Sequence, residues 1–250
     1  MNENINELAK KLHLAYLRNN LNEILDESNK QGWSNEQLIE NILSYEINDR
    51  LNKSIKKKIN VAGFPNILTF EQLDLDVFSL DIVDKIKEVK NLNFIENGSN
   101  VILCGNSGVG KTHIATALGL LACQQNKSVL FTSVPNLIIE LREKAQSNQL
   151  TTFKKRFCSY DLVILDELGY ISFDKGCSEL LFNLLSTRNQ NKSLIITTNL
   201  SFNRWIEIFG DEVLTAAMVD RITHCSYVLN IQGQSYRIKE TKEWLMNKNN

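Results

Sequence analysis

The chain has 250 residues, of which 43% are hydrophobic, and carries a formal net charge of −1 at pH 7. That length suits one full domain with a smaller companion, and that apolar content can bury a core, which excludes a disordered chain. With 28 basic side chains against 29 acidic ones, no global field draws the protein to nucleic acid or to a membrane, so contact with a polyanion requires a local patch.

The amino-terminal stretch MNENINELAKKLHL lacks the apolar core of a signal peptide, and no apolar run approaches bilayer-spanning length, so a cytoplasmic protein is expected. Apolar residues at Leu8, Leu12, Tyr16, Leu17, Leu21, Ile24 and Leu25 keep one helical rhythm from Ile5 to about Asn29, and Gly32 breaks it. Ser34 followed by Gln37 reads as a capping box that opens a second, longer amphipathic helix carrying Leu38, Ile42, Leu43, Ile47, Leu51, Ile55 and Ile59. Arg50, Lys53 and Lys57 fall at i, i+3 and i+7 on that helix, with Lys56 and Lys58 alongside. This basic face reads equally as a solvated helix end complementing the macrodipole or as a contact to DNA phosphates. Gly63-Phe64-Pro65 ends the helix, which sets an all-helical DNA- or partner-binding domain over 1–62 and a larger domain over 63–250.

A helix over about Ser79 to Asn91 leads into the apolar run Val101 to Cys104, and such a lead-in is a candidate cover for a nucleotide base. The run is followed by Gly105, Asn106, Ser107, Gly108, Val109, Gly110, Lys111, Thr112 and His113, which fits G-x-x-x-x-G-K-[ST] between a strand and a helix. The glycines let backbone N–H groups approach phosphate oxygens, Lys111 brings a charge to the β- and γ-phosphates, and the Thr112 hydroxyl suits Mg²⁺. This stretch is the expected ATP-binding loop.

Ser128 to Thr132 reads as a second strand, and Pro135 suits the first turn of a helix over Asn136 to Ser147. Leu150 to Cys158 reads as a short extra helix whose Lys154, Lys155 and Arg156 form a second basic cluster, either solvated or DNA-facing. Asp161 to Glu167 is a buried strand ending in two carboxylates: Asp166 is placed for the Mg²⁺ shell and Glu167 to accept a proton from the attacking water. A helix from about Lys175 to Asn189 precedes a fourth strand, Ser193 to Asn199. The Asn199 side chain would orient that water if this strand lies between the other two. Trp205 to Phe209 and Leu214 to His224 read as helical pieces and Ser226 to Asn230 as a last strand. Arg221 and Arg237 stand near Asp220 and Glu240, so simple ion pairing is an open reading for both. The alternation of strands and helices predicts a parallel sheet. Five dispersed cysteines with no C-x-x-C pair argue against a zinc site or a disulfide framework. A GTPase would require N-K-x-D, and Asn126-Lys127 and Asn191-Lys192 lack the Asp.

GNSGVGKTHIA, LVILDELGY, IITTN, WIEIFGD, VDRITH and GQSYRIK, in this order, resemble the IstB-like family of transposition helper ATPases. The resemblance runs from the N-terminal helices to Arg237. It implies an α/β fold: an AAA+ P-loop NTPase core with a central parallel five-stranded sheet, a small all-helical N-terminal domain and no separate C-terminal lid. It casts Arg221 as an arginine finger acting on a neighbour's ATP and Arg237 as the sensor 2 residue, and maps a DNA-contacting insertion to about Pro135 to Cys158. Two departures stand out: Asn106-Ser107 replaces a frequent pair of prolines, and fewer arginines precede Gly63 than in many members. The expected function is that of an ATP-dependent, Mg²⁺-requiring helper of an insertion-sequence transposase. Its expected partners are double-stranded DNA, the cognate transposase and further copies of itself. A replicative helicase loader of the DnaC and DnaI type is the alternative.

Overall fold

The structure, a computed structural model, describes residues 2–188, 192–233, 235, 236, 241, 244, 246 and 248. The chain divides into two compact units, Met1–Lys57 and Lys58–Asn250, and the division falls inside a helix, ahead of Gly63.

The first unit is helical, with α1 (Asn2–Lys11), α2 (Ala15–Gln31) and the start of α3 (Asn35–Ala62). Its small core is Ala9, Leu17, Leu21 and Ile24, packed against Tyr16, Leu38, Ile42 and Tyr45. The single helix read from Ile5 to Asn29 is in fact two, because His13 takes a left-handed φ of 56° and turns the chain. The cause lies across the unit: Glu46 accepts from the Ala15 and Tyr16 amides at 3.2 and 2.9 Å, capping the start of α2 in place of a preceding helical turn. Burial alone would raise the Glu46 carboxyl pKa, but the Arg50 guanidinium and these amides hold it below the ordinary range. The Ser34 and Gln37 box opens α3 through reciprocal bonds of 2.9 and 3.2 Å.

The second unit contains α4 (Leu80–Lys90), α5 (Asn93–Glu96), β1 (Asn100–Gly105), α6 (Lys111–Gln124), β2 (Val129–Ser133), α7 (Val134–Gln146) and α8 (Leu150–Ser159). It continues with β3 (Leu162–Leu168), α9 (Lys175–Ser186), β4 (Ser193–Thr198), α10 (Ile206–Phe209), α11 (Glu212–Thr223) and β5 (Ser226–Ile231). The strands form one parallel sheet in the order β2-β3-β4-β1-β5. β1 and β4 are central and read as continuous apolar runs because helices cover both faces. One face packs Val101, Leu103, Ile164 and Ile195 against Ile114 and Leu118 of α6; the other packs Ile102, Val163 and Ile196 against side chains of α7, α9 and α11. Polar side chains fix the strand ends. Asn100 donates to the Ile222 carbonyl at 3.1 Å and accepts from the Leu194 amide at 3.0 Å, which aligns the start of β1 with β4 and α11. Arg188 is buried and donates to the Phe157 and Ser193 carbonyls at 2.8 and 3.1 Å, and burial pushes its pKa down to about 10. Helices α7 and α8 fill the β2 to β3 connection. Among the described residues no helix is long and apolar enough to cross a membrane.

Candidate nucleotide site

β1 delivers the loop from Gly105 to Gly110 to the carboxyl edge of the sheet, and α6 starts at Lys111 behind Gly110, whose φ is 93°. Lys111 is buried, and its ammonium donates to the Gly105 and Asn106 carbonyls at 2.8 and 2.7 Å, which folds the loop around it. A cavity of ≈ 580 Å³ opens over this loop, lined by Ser107, Lys111, Thr112 and Glu167 together with Pro65, Leu68, Leu73 and Tyr236. Its cover is therefore the connector after Pro65, and α4, the lead-in helix considered from sequence, is not among the lining residues. That connector is held by two short 3-10 turns, Phe70–Gln72 and Leu75–Val77, and by the His113 ring nitrogen 2.7 Å from the Thr69 carbonyl oxygen. Tyr236 donates its amide to the Gly108 carbonyl at 2.9 Å, which brings the chain after β5 against the loop. Burial, and then the Asp74 and Asp76 carboxylates, push the Tyr236 phenol pKa up. Arg237, the next residue, lies outside the described residues.

The two carboxylates at the end of β3 reach this site through a break in the strand. In a regular strand successive side chains alternate faces, so adjacent acids would point apart. Here Leu165 pairs with Ile196 but Leu168 pairs with Thr198, three steps on β3 against two on β4. This is a β-bulge, and Glu167 sits in it with a left-handed φ of 64°. The parity of β3 flips across it: Leu168 joins the same core face as Val163 and Leu165. Glu167 thereby joins Thr112 in lining the cavity, while Asp166 lies against the Thr112 hydroxyl. The Thr112 hydroxyl lies 3.0 and 3.1 Å from the two Asp166 oxygens. Thr197, one strand over, donates its hydroxyl to Asp166 Oδ1 at 2.5 Å and accepts the Glu167 amide at 2.9 Å.

β4 does lie between β3 and β1, the condition set for Asn199. Asn199 lines a second cavity of ≈ 320 Å³ with Gly105, Asn106 and Arg204, and its buried Oδ1 has no hydrogen-bond partner among the described residues. Thr197, Tyr170 and Tyr236 are site residues that sequence reasoning missed. Tyr170 lines the larger cavity with its hydroxyl 3.4 Å from Ser107 Oγ. Arg221 lines neither of these cavities. Its guanidinium stacks 5.1 Å from the Phe182 ring centroid and has no ion pair among the described residues.

The basic residues fall into different settings. Arg50 is committed within its own unit, donating to Glu46 at 3.0 Å and to the His13 carbonyl at 2.7 Å. Lys53 pairs with Asp49 at 2.6 Å, whereas Lys56 and Lys57 are exposed without an ion pair among the described residues. On α8, Lys155 and Arg156 are exposed and Lys154 is half-buried, and Arg156 lies 3.4 Å from the Tyr160 hydroxyl.

Comparison with known proteins places this geometry. The family model described as "IstB-like ATP binding protein" matches residues 7–244. The chain belongs to this family. It is 36% identical to an insertion sequence IS21 putative ATP-binding protein of Pseudomonas aeruginosa over 94% of this chain and 89% of that one. It is 32% identical to the IS232 counterpart of Bacillus thuringiensis subsp. berliner, over 92% of each. Among solved structures, replication initiator DnaA bound to AMPPCP and single-stranded DNA matches with a TM-score of 0.59 and 19% identity, over 75% of this chain and 57% of that one. The DnaC helicase loader matches with a TM-score of 0.53 and 24% identity, over 68% of this chain and 98% of that one. These likenesses show an AAA+ core. The family binds ATP, and the lining of the cavity suits it: the loop amides and Lys111 for phosphates, and the apolar Pro65, Leu68 and Leu73 for a base. The Thr112 hydroxyl beside Asp166 is a fitting oxygen set for Mg²⁺.

Proposed function

We propose that this protein is a DNA-stimulated ATPase that assists the transposase of an insertion sequence. The observation that carries the reading is the division of the site. Lys111, Thr112 and Glu167 line one cavity with Asp166 against the Thr112 hydroxyl, while Arg221, which makes no ion pair among the described residues, sits on α11 and lines no part of it. A guanidinium in that position is free to complete the site of a second copy. Lys111 and the loop amides hold the phosphates, and Thr112 and Asp166 hold Mg²⁺, which screens charge on the phosphate oxygens. Glu167 takes the proton of the attacking water, Asn199 orients that water, and Arg237 acts on the nucleotide of its own chain. Lys53, Lys56, Lys57, Lys154, Lys155 and Arg156 are the proposed contacts to duplex DNA. Both insertion-sequence relatives match over more than nine-tenths of this chain, which favours a transposase as partner; the likeness to helicase loaders is one of fold.

Arginine fingers contribute about 10³ to 10⁵ in rate, so an isolated chain turns over slowly and assembly on DNA accelerates it. Arg221→Ala and Glu167→Gln are each expected to abolish DNA-stimulated turnover. A mixture of the two regains activity, because the intact Glu167 of one can meet the intact Arg221 of the other. Mixtures no more active than their components, or equal rates with and without DNA in the natural protein, reject the reading.

A further inference from the structure

We infer that Thr197 is a positioning residue for hydrolysis, its hydroxyl holding the bulge that turns Glu167 toward the nucleotide. The inference rests on the proposed ATPase reading. A bulge leaves the amide of its extra residue outside the strand ladder, and a buried amide without a partner is costly. That amide belongs to Glu167, and Thr197 Oγ1 receives it at 2.9 Å. The hydroxyl then has one proton to give, and it gives it to Asp166 Oδ1 at 2.5 Å. The polarity of this chain has no alternative, since an amide only donates and a carboxylate only accepts. One hydroxyl, 1% exposed as part of Thr197, thus sets both the aim of Asp166 at Thr112 and the backbone turn that presents Glu167. The adjacent Thr198 spends its hydroxyl elsewhere, accepting the Leu200 amide at 3.1 Å, so it is no substitute.

The test compares Thr197→Val, which keeps the branched shape without the hydroxyl, with Thr197→Ser, which keeps the hydroxyl. With Mg²⁺ and ATP, kcat of Thr197→Val is expected to fall by about tenfold or more, as for loss of a hydrogen bond to a charged group. Affinity for ATP measured without Mg²⁺ changes by less than about twofold, and Thr197→Ser restores kcat, a split that separates positioning from binding. Hydrogen exchange of the Glu167 amide, followed by NMR in nucleotide-free protein, gives a readout independent of turnover. The amide is expected to be protected in the natural protein and in Thr197→Ser and to exchange at least about tenfold faster in Thr197→Val. Unchanged kcat in Thr197→Val, or failure of Thr197→Ser to restore it, overturns the inference. So does a Glu167 amide in the natural protein that exchanges like an exposed one, a result that needs no variant to fold. Absence of any ATP turnover in the natural protein rejects the ATPase reading instead, while the exchange experiment still judges the Thr197 link.

Discussion

Gly169 closes the turn after the bulge, and replacing it tests how tightly that turn is tied to β4. Its φ is 107°, outside the left-handed well that alanine can enter, and a Cβ built there lies 2.7 Å from Asn199 Oδ1 and 3.0 Å from Leu200 Cγ. Gly210 supplies the control, with a φ of 68° and nothing within 4 Å of its would-be Cβ. Alanine at Gly210 meets only the left-handed penalty of about 1–2 kcal/mol, offset by about 0.4–1 kcal/mol of unfolded-chain entropy, for a net loss near 1 kcal/mol. Alanine at Gly169 adds a more strained backbone, about 1–3 kcal/mol, and an overpacked contact of similar size, for a net loss of about 2–5 kcal/mol.

Urea unfolding followed by tryptophan fluorescence, to which the fully buried Trp205 contributes, measures both losses. Turnover separates the variants further. The added methyl displaces Asn199 and the bulge beside it, and a misplacement of this kind costs about 10–100-fold in rate, whereas Gly210→Ala leaves the rate alone. Equal destabilisation of the two variants, or full turnover in Gly169→Ala, would refute the coupling between the turn and the tip of β4.

The remaining predictions concern the two units separately. Lys56→Ala with Lys57→Ala should lower the salt slope of DNA binding by about two, one for each DNA phosphate deprived of its lysine, as read by fluorescence anisotropy across a salt series. Arg50→Ala should instead destabilise the helical unit, because it strips the cation from the buried Glu46, and thermal melts should register it. Asp161 is pushed upward by burial, but the Lys192 ammonium at 2.6 Å and the Ser128 amide and hydroxyl at 2.8 and 2.7 Å overcome this and lower its pKa from 3.8 to about 2. A depressed acid stabilises the fold fully above its unfolded pKa, and the contribution disappears as pH falls from about 4 towards 2. With Asp161 and Lys192 each about one-third exposed, screening reduces its worth to about 1–2 kcal/mol, so Asp161→Asn should lose that much at pH 7 and converge with the natural protein near pH 2.

How legible the site was depends on what each residue's neighbours determine. Strands and loop were readable because their signals are local: β1, β3 and β4 are continuous apolar runs, and the loop is a fixed spacing of Gly, Lys and Thr. The break at His13 was not, since Glu46 causes it from some thirty residues away. Nor was the cover of the cavity, because its side chains sit on 3-10 turns with no periodicity to detect. The pair Asp166-Glu167 shows the limit most plainly. Alternation within a strand contradicts the assignment of both acids to one ligand, and nothing in LVILDELGY alone announces the extra residue. The contradiction is resolved only when β4 is laid beside β3, so that a threonine from IITTN receives the displaced amide. The same geometry gives Asn199 and Thr197 different tasks although they stand two residues apart. Thr197 faces inward against the Asp166 carboxylate, while Asn199 stands past the end of the strand and lines the second cavity.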